Sequence, residues 1–127
     1  MTREEFIKLP LLLTAGQAAA CGYSRRTLLK YANNDILRLV CPAGCVQRRF
    51  QKKQLAQLLG WEDALNLPAW RREPPLLTLN AVCQWTGYDS HQVSKITKAG
   101  GLSVVNAAGI GRNRYRKTEV QEWIGFQ

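Results

Sequence analysis

Arginine and lysine clusters are the groups in this chain with the clearest chemistry: Arg25-Arg26 with Lys30, Arg48-Arg49, and Arg112-Asn113-Arg114-Tyr115-Arg116-Lys117. Fixed cations spaced this way bind phosphates, because each phosphate neutralised releases condensed counterions. The whole sequence agrees with that reading. Eighteen Lys and Arg stand against nine Asp and Glu, giving a net charge of +9 and a pI near 9.8, so a polyanionic partner is expected. The imbalance is uneven. Between Leu11 and Gly60 there are eight basic residues against Asp35 alone, and between Leu76 and Gly125 six against Asp89, Glu119 and Glu122. Catalysis finds no support. The chain has a single histidine, no paired acidic site, and no phosphate-cradling glycine loop ahead of a lysine. An enzyme is not expected, and neither is a cofactor.

Four cysteines leave three readings open. Cys41 and Cys45 flank the turn Pro42-Ala43-Gly44 and could close a hairpin disulfide. They could also be half of a zinc site, which as a rule needs four ligands, but Cys21, Cys83 and His91 lack paired ligand spacing. Plain reduced thiols are the favoured reading, with no metal expected and with Cys21 and Cys83 packing as small apolar side chains.

The basic clusters need elements to hold them. Arg112–Lys117 suits a hairpin strand with Tyr115 facing a core, and Val120, Trp123 and Ile124 then follow helical spacing. A glycine turn, 106–111, and the apolar run 102–105 precede it. Strand, glycine turn, basic strand and short helix make the second half of a small winged helix. The stretch has a counterpart at 47–59. Adding 65 to each number lays Pro10–Gly60 on Pro75–Gly125 without a gap. Identities include Gly22/Gly87, Tyr23/Tyr88, Gly44/Gly109, Arg49/Arg114, Lys52/Lys117 and Gly60/Gly125. Such self-similarity marks a tandem repeat. The chain therefore divides into a module at 1–60, a structured linker at 61–75 and a module at 76–127, each unit small enough to lean on its neighbour.

In the first unit Thr14 caps a helix running to Cys21, Gly22-Tyr23 turns, and Ser24 caps a second helix, Arg25–Ala32, with Leu28 and Leu29 inward. Hairpin strands are expected at Ile36–Val40 and Val46–Phe50, and a closing helix at Lys52–Leu59 with Leu55, Leu58 and Leu59 inward. The second unit repeats the order. Thr78 caps a helix with Leu79, Val82 and Cys83 inward; Asp89 caps Ser90–Lys98; Gly100-Gly101 stops it. Met1–Lys8 reads as a polar lead with at most a helical turn. Trp61 and Trp70 make the linker too apolar to be floppy, with a short helix at Glu62–Asn66. An apolar stretch from Leu9 to Ala20 before Cys21-Gly22 has the look of a lipoprotein signal. However, its lead is not positive, and the same pattern recurs mid-chain at Leu76–Gly87, so export is not expected. No stretch approaches the length of a membrane-spanning helix.

Helix, glycine turn, capped helix, hairpin and short helix, met twice, resemble the MerR-like, excisionase-type winged helix of bacterial and phage DNA-binding proteins. The residues that carry the likeness are Leu13-Thr14, Gly22–Leu28 and Arg49-Phe50 in the first unit. In the second they are Leu77-Thr78, Gly87-Tyr88-Asp89, Gly109–Lys117 and Val120–Ile124. The likeness implies a mainly α fold with small β-hairpin wings (α+β), as two tandem winged helix-turn-helix modules. No long dimerisation helix and no sensing domain follow Ile124, which favours the simpler excisionase-like or phage-regulator form. The likeness further implies that Ser24, Arg25, Arg26 and Lys30 meet one major groove, and Ser90, His91, Gln92 and Lys95 another. Arginine grips guanine bidentately and glutamine suits adenine. Arg48, Arg49, Arg112, Asn113 and Arg114 would follow the backbone or minor groove as wings. The expected function is non-enzymatic, sequence-specific binding of double-stranded DNA by an architectural or regulatory factor, cytoplasmic and nucleoid-associated. A monomer suffices, since the repeat supplies two modules for two half-sites. Alternatives are an adaptor docking a recombinase, polymerase or other DNA-processing protein, and a DNA-packaging or plasmid-maintenance recognition subunit.

Overall fold

A computed structural model of the chain describes residues 1–45 and 47–126. Its architecture is mixed α and β, with eight α-helices and two three-stranded antiparallel sheets among the described residues. In chain order the first half runs α1 (Arg3–Ile7), β1 (Leu12–Leu13), α2 (Ala15–Ala19), α3 (Arg25–Asn33), β2 (Leu39–Val40), β3 (Arg49–Gln51) and α4 (Lys52–Leu59). A 3-10 turn at Glu62–Leu65 leads to the second half: α5 (Leu67–Arg72), β4 (Leu76–Leu77), α6 (Leu79–Thr86), α7 (Ser90–Lys98), β5 (Val104–Val105), β6 (Arg114–Arg116) and α8 (Lys117–Ile124). A second 3-10 turn, Ala107–Gly109, joins β5 to β6.

Each sheet has its last strand in the centre, in the orders β1-β3-β2 and β4-β6-β5. The expected hairpin strands are therefore shorter and differently placed. Ile36 lies outside β2 and is 47% exposed, and the strand expected from Val46 begins on a residue that lies outside the described ones. The edge strands β1 and β4 went unforeseen because a strand of two leucines is too short to show alternation.

Lining up the elements corrects the gapless alignment. From Ser24 and Asp89 onward, caps, strands and helices match at 65 residues: α3 with α7, β3 with β6, and α4 with α8, each of the last two ending on a left-handed glycine, Gly60 or Gly125. Before that the spacing is 64. Leu12 pairs with Gln51 and Leu76 with Arg116, and Thr14 and Thr78 cap equivalent helices. The extra residue sits between the Thr cap and the next cap.

The 64-residue spacing also carries α1 onto α5. Phe6 and Trp70, both buried, lie at matching places. Over Phe6 sits the Lys52 ammonium, 4.9 Å from the ring, donating to the Ile7 and Leu9 carbonyls at 3.2 and 2.9 Å. Lys117 stands 5.2 Å from the Trp70 ring and donates to the Arg71 and Glu73 carbonyls. The stretch 61–75 is thus more than a linker, and the polar lead is more than a turn: each supplies the opening helix of a repeat. A second device recurs as well. Gln54 Oε1 accepts from the Arg38 backbone N–H and Glu119 Oε1 from that of Ser103, pinning the approach to β2 and β5. Such partners satisfy backbone groups that the short strands leave unpaired.

The two halves share one hydrophobic core. Leu11 N–H donates to the Trp85 carbonyl, Gln51 Nε2 to the Trp123 carbonyl and Lys53 Nζ to the Gly125 carbonyl. Trp70 meets Trp85 and Phe126 edge-on, and its indole N–H donates to Gln121. Arg3 pairs with Asp63, tying α1 to the 3-10 turn. Three helix residues expected inward point out instead: Leu29, Leu58 and Leu79 are 55%, 42% and 38% exposed. No helix of the described residues is long and apolar enough to cross a membrane.

Candidate functional site

Ser24 forms the hinge of the first basic cluster. Its Oγ accepts from Thr27 N–H at 3.1 Å, fixing the start of α3. A capped first turn sets the direction of the side chains that follow it. Arg25, Arg26, Leu29 and Lys30 then occupy the solvent face, while Leu28 is buried beneath them. Arg48, exposed at the entry to β3, lines the same hollow as Arg25. That hollow, about 180 Å³, is otherwise walled by Ala15, Leu28, Leu29, Leu39 and Phe50.

Arg49 departs from expectation. It is 5% exposed, with its guanidinium 4.8 Å from the Tyr88 ring of the other repeat and Nε without a hydrogen-bond partner. A guanidinium stacked on an aromatic ring and removed from solvent belongs to the packing between repeats, and cannot serve as a wing contact. Its partner in the repeat, Arg114, is half-buried in β6. Arg112 and Asn113 remain exposed, Asn113 accepting from Asn106 Nδ2 at 2.9 Å. They line a cleft of about 580 Å³ with Thr78, Leu79, Asn80 and Tyr115.

On α7, Ser90, His91 and Lys95 are at least partly open to solvent. Gln92 is engaged. Asp89 and Gln92 form a reciprocal cap, Gln92 Oε1 accepting from Asp89 N–H at 2.9 Å and Asp89 Oδ1 from Gln92 N–H at 2.8 Å. A bidentate grip on adenine needs that Oε1, so adenine reading by Gln92 would have to break the cap.

The sequence held no signal for the seating of the β2–β3 connection on α7. A Cβ at Gly44 would stand 2.5 Å from the Lys95 carbonyl oxygen and 2.7 Å from Ala99 Cβ, and one at Gly101 2.5 Å from the Ala43 oxygen. Backbone lies on backbone here, which only glycine allows. In consequence Gly44, Cys45 and Gln47 of the first repeat wall a cleft of about 310 Å³ together with Tyr88, His91, Gln92 and Lys95. This cleft and the Arg25–Arg48 hollow have no lining residue in common.

All four cysteines are free thiols. Cys45 Sγ donates to the Gln47 carbonyl and lies 3.6 Å from the Tyr88 hydroxyl. Burial and that neighbour push the Tyr88 phenol well above its ordinary range. Burial, and then Cys45 beside it, raises the Cys41 thiol. Burial alone pulls the Lys52 ammonium down to about 8. Among the described residues, no three His, Cys, Asp or Glu side chains converge as a metal site would need. Comparison with protein-family models, with curated proteins and with solved structures finds no match.

Proposed function

We propose that the protein binds double-stranded DNA without catalysis, through two fused winged helix-turn-helix units that act as one rigid reading head. In this reading α3 and α7 are the recognition helices. What supports it most is that the two matching, capped helices both carry exposed cations, Arg25, Arg26 and Lys30 on α3 and Lys95 and Lys98 on α7. Exposed cations on both helices suit a polyanion long enough to meet the two. Arg25 and Arg26 are the base-reading candidates; Lys30, Arg48, Lys95 and Arg112 hold phosphates. A regulator or architectural factor working at the nucleoid fits this activity.

The test is selection of duplexes from a random pool by the full chain, followed by footprinting and salt titration. One contiguous footprint of about 20 base pairs is expected, together with a steep fall of affinity with salt. Arg26→Ala should cost about 1–3 kcal/mol and flatten base preference at one position, while Arg112→Ala should weaken all sequences alike and lower the salt slope by about one. Duplex binding that is absent, or insensitive to salt, overturns the reading. A second reading, docking of a protein partner, has Ile110 in its favour: it is 81% exposed, next to the Gly111–Tyr115 stretch that lines the cleft. Loss of partner capture in Ile110→Asp, with duplex affinity unchanged, would support it.

A further inference from the structure

Leu29 stands in the middle of the exposed face of α3, one turn from Arg25, with Arg26 and Lys30 beside it. It is 55% exposed. Leaving a leucine this open gives up much of the stabilisation its burial would bring, and the frame does not require it: at the matching place on α7 stands Ser94. Leu29 forms one wall of the hollow of about 180 Å³ lined by Leu28, Leu39, Phe50 and Ala15, with Arg25 and Arg48 also lining it. An apolar recess bounded by cations fits an apolar group carried on a polyanion. On the base edges of a duplex major groove, one group is apolar, the C5 methyl of thymine.

We infer that Leu29 and its recess receive a thymine methyl, so that the first repeat discriminates thymine by apolar contact while Arg25 and Arg26 hold the flanking edges and phosphates. This rests on the duplex-binding reading and adds a ligand group to it. The second repeat, with Ser94, lacks the device.

The experiment uses the full chain and a synthetic duplex recovered by selection, in which each thymine is replaced singly by uracil. Uracil keeps every hydrogen bond and removes only the methyl. At one position within the part of the footprint covered by the first repeat, affinity should fall about fourfold, the ratio expected for one buried methyl. Leu29→Ser, checked for an unchanged melting temperature, should bind the thymine and uracil duplexes equally. Wild-type binding that is indifferent to uracil at every position overturns the inference, as does discrimination that survives in Leu29→Ser. Either result leaves the duplex-binding reading standing, whereas that reading fails on absence of salt-dependent binding to the selected duplex.

Discussion

Gly44 and Gly109 occupy matching places in the two repeats, both with positive φ, at 87° and 70°. A methyl group added at Gly109 would meet nothing within 4 Å, whereas one at Gly44 would run into the Lys95 carbonyl and Ala99. The same contrast runs through the two halves. In the first, the strand connection is seated on α7 at Gly44, Arg49 is stacked on Tyr88, and α3 offers Arg25, Arg26 and Leu29 to solvent. In the second, the connection at 107–111 is exposed, Arg114 is half-buried, and α7 offers Ser90, His91 and Ser94. The parts held in common are those that close each unit: the Thr cap, the Lys clamp, the Gln54 or Glu119 pin and the terminal glycine. Duplication has kept the internal fastenings and let the outer faces diverge.

That contrast can be broken most sharply at the glycines. Gly44→Ala should lose about 2–4 kcal/mol, combining left-handed strain with a collision against backbone that cannot give. Gly109→Ala should lose only about 1 kcal/mol, the conformational part alone. Chemical denaturation of both variants measures the difference, and equal losses would dismiss the seating on α7 as a stabilising contact.

The clamps come next. Lys52 is 1% exposed and Lys117 half-buried. Lys52→Ala should cost about 2–3 kcal/mol by leaving two carbonyls without a donor and Phe6 uncovered, and Lys117→Ala less. Lys52→Met sharpens this through pH. The folded chain releases the Lys52 proton near 8, the unfolded chain near 10.5. The unfolded state therefore binds more protons between those values, and wild type should gain stability over Lys52→Met as pH rises through that window. A difference that stays flat across it would show that burial does not weaken the ammonium.

Arg49→Ala should lower the melting temperature while leaving the salt slope of duplex binding unchanged, because its guanidinium lies on Tyr88 and not on the outer face. The smallest effect is expected at the caps. Thr14→Ala should cost about 1 kcal/mol and Thr78→Ala a few tenths less, since only Thr14 has a reciprocal partner, Gln17.

Much of the frame was legible because it is local. The starts of α3, α7 and the closing helices follow from caps and helical spacing, and the repeat follows from glycines and leucines. The rest was hidden for physical reasons. Lys52 and Lys117 look like surface bases, since nothing in a sequence marks a lysine that folds back onto carbonyls more than forty residues earlier. Leu29 looks like core because two adjacent leucines on a helix face in directions that only the neighbouring sheet can choose between. Arg49 is indistinguishable from Arg48 by type, although alternation along the strand sends them to opposite sides. The one-residue slip between repeats is masked by the run of leucines at Leu11–Leu13, which matches Leu76-Leu77 in either register.

That run has a kinetic consequence. Leu12-Leu13-Thr14 and Leu76-Leu77-Thr78 are the same tripeptide, and each adds an edge strand to a central strand of the same length. A chain collapsing from the unfolded state can seat either edge on either centre, and an exchanged pairing forms nearly the same local contacts as the right one. The choice falls to groups that the two repeats do not share: Leu11 N–H must find the Trp85 carbonyl, and Gln51 Nε2 the Trp123 carbonyl. Those fastenings act as proofreaders of strand exchange, rejecting by unsatisfied hydrogen bonds a topology that the strands alone would accept.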